Sequence, residues 1–217
     1  MSNHTATTKT KRVRFAPLVI ATSVAAAALL SVSMSGTLSG FVASITNSNN
    51  TAASGSLIME EKSTGTTPVT CLSTDGGSIS TNTATCSTIN KFGGSTTMVP
   101  GQTVSTAITI KNAGTVAANT FTLTPGSACS QAANGSPAGT ATDFCAKVNV
   151  LITSGSTTVY NGTAAALAGT AAKSLATAPV APGTSTPFTI AVTLDNSAGN
   201  TYQNLSASLP LTWTFAS

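Results

Sequence analysis

The chain has 217 residues, of which 6% are charged, and a formal net charge of +4. Four of its cations, Lys9, Lys11, Arg12 and Arg14, sit in the head, so the five remaining lysines balance five acids, Glu60, Glu61, Asp75, Asp143 and Asp195. The net charge therefore belongs to the head and is not to be read as a footprint for nucleic acid or anionic lipid.

The cationic head leads into an uncharged stretch from Phe15 to Met59, whose first part, Ala16 to Leu30, is almost wholly apolar. A charged start, a short apolar core and small residues after it are the grammar of an export signal. An apolar core of about fifteen residues suits a signal helix better than a spanning one, which needs roughly twenty. Residues 1–40 therefore read as a signal helix that meets the membrane only before cleavage by a signal peptidase. The best cut lies after Thr37-Leu38-Ser39-Gly40 and before Phe41, with Ser35-Gly36 as the second candidate. A Gly-Phe junction also occurs in type IV prepilins, but there the apolar helix follows the cut. Here Phe41, Val42, Ala43, Ser44, Ile45 and Thr46 turn polar at once, and no cysteine marks a lipoprotein anchor. Residues 41–52 read as a linker or free strand, and 53–217 as a single domain large enough for one core.

Beyond the head, Thr, Ser, Ala and Gly dominate and apolar residues recur at period two, the spacing of half-buried strands. Val104, Thr106, Ile108 and Ile110 share one face, and Phe121 with Leu123 repeats the pattern. Val148, Val150 and Ile152, then Thr157 to Tyr160, then Phe188, Ile190, Val192 and Leu194, continue it. The longest alternation is the last: Leu205, Ala207, Leu209, Leu211, Trp213 and Phe215. Trp213 and Phe215 read as core there, and Pro210, which has no N–H for a ladder, predicts an edge or a bulge. Turn chemistry separates the runs at Pro100-Gly101, Asn112-Ala113-Gly114, Pro125-Gly126, Pro182-Gly183 and Asn196 to Asn200. The spacing from each Pro-Gly to the strand after it repeats, as two hairpins with similar turns or an internal duplication would. Many strands with such punctuation predict an all-β antiparallel sandwich. Ala164 to Ala178 allows one short helix, and residues 62–94 read as a long surface excursion.

The cysteines Cys71, Cys86, Cys129 and Cys145 all follow the signal, and an even count in an exported chain predicts two disulfides. Three pairings are open. The local one closes loops of about fifteen residues, each worth ~3 kcal/mol in the chain-entropy picture. Zinc prefers closer pairs than these spacings offer.

His4 is the single histidine and both arginines lie in the head, so the exported part lacks the usual general base, metal ligand and bidentate anion clamp. Glu60 and Glu61 are neighbours on a strand and point to opposite faces, which prevents them from forming an acid/base pair across a substrate unless the strand bulges. No nucleophile-elbow, zinc-helix or phosphate-loop pattern occurs. No catalytic residue, metal ligand or cofactor is expected. Asp75-Gly76-Gly77 and Asp195-Asn196 read as turns before they read as calcium ligands. Sequons stand at Asn49, Asn134, Asn161 and Asn204. Leu209-Pro210-Leu211-Thr212-Trp213 differs from a sortase signal at its last position and lacks the apolar span and basic tail that should follow.

The order of these features resembles the TasA/camelysin family of exported biofilm-matrix proteins. The likeness runs through the junction before Phe41, Ala53-Ser54-Gly55-Ser56-Leu57, Pro100-Gly101 with the strand into Asn112-Ala113-Gly114-Thr115, and Ala198-Gly199-Asn200-Thr201-Tyr202-Gln203 with the closing strand. It implies a jelly-roll sandwich, secreted to the matrix or cell surface, whose subunits polymerise head to tail. It also implies that the N-terminal segment of one subunit, here Phe41 to Thr46, completes the sheet of the next. The four cysteines and the scarcity of charge depart from the family's pattern. The family also carries a metalloprotease label for camelysin, which no residue here supports. A monomeric adhesion or binding domain of the same fold is the alternative expectation.

Overall fold

The computed structural model of the protein describes Ile45 and residues 51–217. The expected signal helix, the cleavage residues Ser39, Gly40 and Phe41, and Val42, Ala43, Ser44 and Thr46 lie outside the described residues. Ile45 is exposed and belongs to no regular element.

Eleven strands follow: β1 (Met59–Ser63), β2 (Thr70–Leu72), β3 (Thr103–Asn112), β4 (Thr120–Pro125), β5 (Ser130–Ala133), β6 (Val148–Ser154), β7 (Thr157–Thr163), β8 (Lys173–Ser174), β9 (Ser185–Leu194), β10 (Leu205–Ser208) and β11 (Leu211–Ala216). Two single-turn helices, α1 (Phe144–Lys147) and α2 (Ala164–Leu167), interrupt them. All pairings are antiparallel. One layer is a six-stranded sheet in the order β2-β1-β3-β9-β6-β7; the other is narrower, β11-β4-β8 continued by the pair β10-β5.

The centre of the wide sheet is β3 against β9, two ten-residue strands whose alternation places Ile108 opposite Phe188 and Val104 opposite Val192. The two Pro-Gly turns extend this ladder at its ends. Gly101 N–H donates to Leu194 O and Gly183 N–H to Asn112 O, each at 2.7 Å. Both glycines hold φ near +80° (82° and 80°), where a side chain is strained. The repeated spacing thus belongs to two strands that pair with each other rather than to two hairpins.

Alternation then fills the interior. Ile108, Ile110, Val150, Ile152, Phe188 and Ile190 are at most 1% exposed on the inner face of the wide sheet, and Phe121, Leu123 and Trp213 meet them from the other layer. Phe121 packs edge-on to Phe188 at 5.8 Å, and Phe188 lies 4.5 Å from Trp213 between ring centres. Such pairs add ~0.5–1.5 kcal/mol each beyond their area. Asn112, fully buried, is satisfied three times: its Nδ2 donates to Val116 O and Val180 O, and its Oδ1 accepts from Gly114 N–H. A residue whose context marks a turn is therefore also a buried polar pin between two loops.

Three expectations need correction. The run from Leu205 to Phe215 is two strands, β10 on β5 and β11 on β4, because Pro210 cannot continue a ladder. Residues 62–94 are more than a surface excursion: β2 joins the wide sheet and Ile89 enters the core at 6% exposure. Helix α1 lies outside the Ala-rich stretch, and its Phe144 and Cys145 are buried. Of the three open disulfide pairings the local one forms, Cys71–Cys86 and Cys129–Cys145.

Phe188 sits where both layers meet, so truncation leaves a cavity that neither sheet can close. Phe188→Ala should lower unfolding free energy by ~3–5 kcal/mol, read as a shift of the urea midpoint with little change in slope.

Candidate functional site

The narrow layer is built on two antiparallel chain segments, 120–133 and 205–216. Gly126 N–H donates to Pro210 O, which fixes the register at the bend between β10 and β11. With Thr212 opposite Thr124 and Thr214 opposite Thr122, the amides of Thr212, Thr214 and Ala216 turn toward β4. Those of Leu211, Trp213 and Phe215 turn the other way, where β11 has no neighbouring strand among the described residues.

A groove of about 1360 Å³ runs along that open side, and every residue from Leu205 to Phe215 lines it. The inner face of the wide sheet forms its floor, through Met59, Val192 and Leu194. The opposite wall is the segment from Thr81 to Met98, which contributes Ile89, Phe92 and Met98. Several links hold this wall, besides the bond from Asn82 Nδ2 to Leu57 O and the contact of Lys91 with Glu61. The Cys71–Cys86 disulfide staples it to β2, and Ser73 Oγ donates to Asn82 Oδ1 at 2.7 Å. Thr106 Oγ1 donates to Asn90 O, and Asn134 Nδ2 to Thr96 O, each at 3.1 Å.

Among the described residues, the only charged side chains on the groove are Glu61 and Lys91. Lys91 Nζ stands 2.8 Å from Glu61 Oε1, both side chains being nearly buried. Among the described residues Oε1 has no partner besides this ammonium. Trp213 also lines the groove, and its Nε1 is buried without an acceptor among the described residues. Buried polar groups are nearly always paired, so the unpaired Trp213 Nε1 is the exception beside this groove.

The remaining polar candidates resolve as local structure. Asp75 Oδ2 accepts from Leu72 N–H at 2.7 Å, as a turn residue does. Asp195 accepts from the hydroxyl and the N–H of Ser197, and these bonds, the hydroxyl's first, hold its carboxyl below the usual value. The bond from Tyr202 Oη to Asp143 raises the tyrosine's. Glu60 and Glu61 do take opposite faces, and only Glu61 is buried. Among the described residues no three of His, Cys, Asp and Glu gather as a metal site, and no helix is long and apolar enough to cross a membrane. Of the sequons, Asn134 and Asn204 spend their amides on Thr96 O and Pro137 O, while Asn161 is exposed on β7.

The four cysteines are brought together as expected, and one pair braces the groove. Sequence reasoning missed the groove itself. The signal for it was Pro210 within an otherwise alternating closing strand, which pointed to an edge. No protein-family model matches the chain, and no curated protein matches it.

Amide exchange checks the open edge directly. In the unassembled chain, Leu211, Trp213 and Phe215 should exchange much faster than Thr212, Thr214 and Ala216, an alternation measurable by NMR; uniform protection along β11 would mean the edge is covered.

Proposed function

We propose that the exported protein is a structural subunit of an extracellular fibre, polymerising with copies of itself by strand donation. The observation that carries this reading is the groove that follows the whole of 205–215, floored by the core and lacking a strand. An extended segment laid there gains a row of main-chain bonds to the free amides and carbonyls of β11, the mode of β-augmentation. Its inward side chains would pack on Met59, Ile89 and Phe92.

The donor is the segment Phe41 to Thr46 of a neighbouring subunit, uncharged and placed just after the expected cut. Donation from the head of one subunit to the groove of the next is a heterologous contact, which yields a filament when it does not close. The two disulfides favour an oxidising compartment and fit secretion. The jelly-roll arrangement of the sandwich, and assembly after cleavage by a signal peptidase, follow from the resemblance to the TasA/camelysin family. The signal would then also delay assembly until export.

Electron microscopy tests the reading. The chain beginning at Phe41 should form long filaments, and the same chain without residues 41–50 should remain monomeric with an unchanged urea midpoint. Normal polymerisation of the shortened chain would refute strand donation. A longer chain that stays monomeric would favour an adhesion domain of the same fold.

A further inference from the structure

Resting on the strand-filled groove, we propose that the Glu61–Lys91 pair sets which strand the groove accepts. It selects an uncharged segment and meets one face of that segment.

The pair is nearly buried, with side chains 10% and 13% exposed for Glu61 and Lys91, and its two charges already neutralise each other. The rest of the groove, among the described residues, has polar and apolar groups but no charge. A strand that brings a cation or an anion into it must shed water with no free counter-charge to receive it. An uncharged strand meets no such penalty. Residues 15–59 of this chain contain no charged side chain, so a second copy's Phe41 to Thr46 matches the groove. Glu61 lies on the inward face of β1, opposite Ile110, and strand side chains alternate. Only every second residue of the occupant therefore meets the pair.

Removing one member should reverse the selection. Lys91→Met leaves the Glu61 carboxylate buried without its counter-ion, so a strand carrying Lys at a matching position restores the balance. Glu61→Gln leaves Lys91 alone and calls for Asp. The double variant Glu61→Gln/Lys91→Met is neutral again and should accept what the natural chain accepts.

Labelled peptides of residues 41–50, unchanged or with Lys or Asp placed singly at positions 42 to 46, can be titrated onto the chain without residues 41–50, natural otherwise or carrying each variant, which loses no described strand and leaves the groove empty, and followed by fluorescence anisotropy. The natural chain and the double variant should bind the unchanged peptide at least tenfold more tightly than a peptide charged on the matching face. Lys91→Met should prefer a Lys peptide, and Glu61→Gln an Asp peptide, by at least tenfold at positions of one parity only. A switch of this kind in either single variant carries the proposal. Preference for the unchanged peptide in both variants, or a switch at both parities, overturns it. Failure of the unchanged peptide to bind the natural chain overturns the strand-filled groove instead.

Discussion

A sandwich is complete only when each layer covers the other and every strand inside it has neighbours for its N–H and C=O groups. In this chain the wide sheet has six strands and the layer opposite is narrower, so the segment 205–216 borders a groove that reaches the core. Backbone groups left without partners in such a place are costly, roughly 1–3 kcal/mol apiece when water is excluded. Water can serve them while the groove is open, but an extended strand serves them better, because it supplies donors and acceptors at the right spacing and apolar side chains for the floor. The same feature that would be an aggregation hazard on an ordinary protein is, under the proposed strand donation, a joint for one particular segment.

The rest of the molecule supports that edge without using charge. Asn112 ties two loops through three hydrogen bonds, the Pro-Gly turns lengthen the β3–β9 ladder at both ends, and Cys71–Cys86 braces the groove wall. A wall made of loop rather than strand needs such ties, since it lacks a ladder of its own. Against this neutral background a single buried ion pair stands out among the described residues. Buried pairs seldom add stability over apolar packing, and their best-attested role is to discriminate among partners or registers.

Much of the fold was legible in the sequence because alternation at period two is a local signal. Val104 to Ile110 and Phe188 to Leu194 named their buried faces residue by residue. Which strands pair is not local: nothing in Pro100-Gly101 or Pro182-Gly183 says that β3 and β9, some eighty residues apart, cap each other's ends. Pro210 did announce an interruption, but whether it bends one strand or divides two depends on β4 and β5, which the alternation alone cannot place. The wall residues Ile89 and Lys91 were hidden by a Ser- and Thr-rich context with no periodicity. Their burial comes from the disulfide and from β1, both tertiary. The candidate site was least legible of all, because it is an absence between strands rather than a motif within one.

The most direct measurement is a high-resolution electron-microscopy structure of the assembled protein. Strand donation requires an extended segment, residues 41–46 of an adjacent subunit, hydrogen-bonded to the amides of Leu211, Trp213 and Phe215 and covering Met59 and Ile89. An assembly in which β11 keeps a free edge, with subunits joined through some other surface, would contradict it.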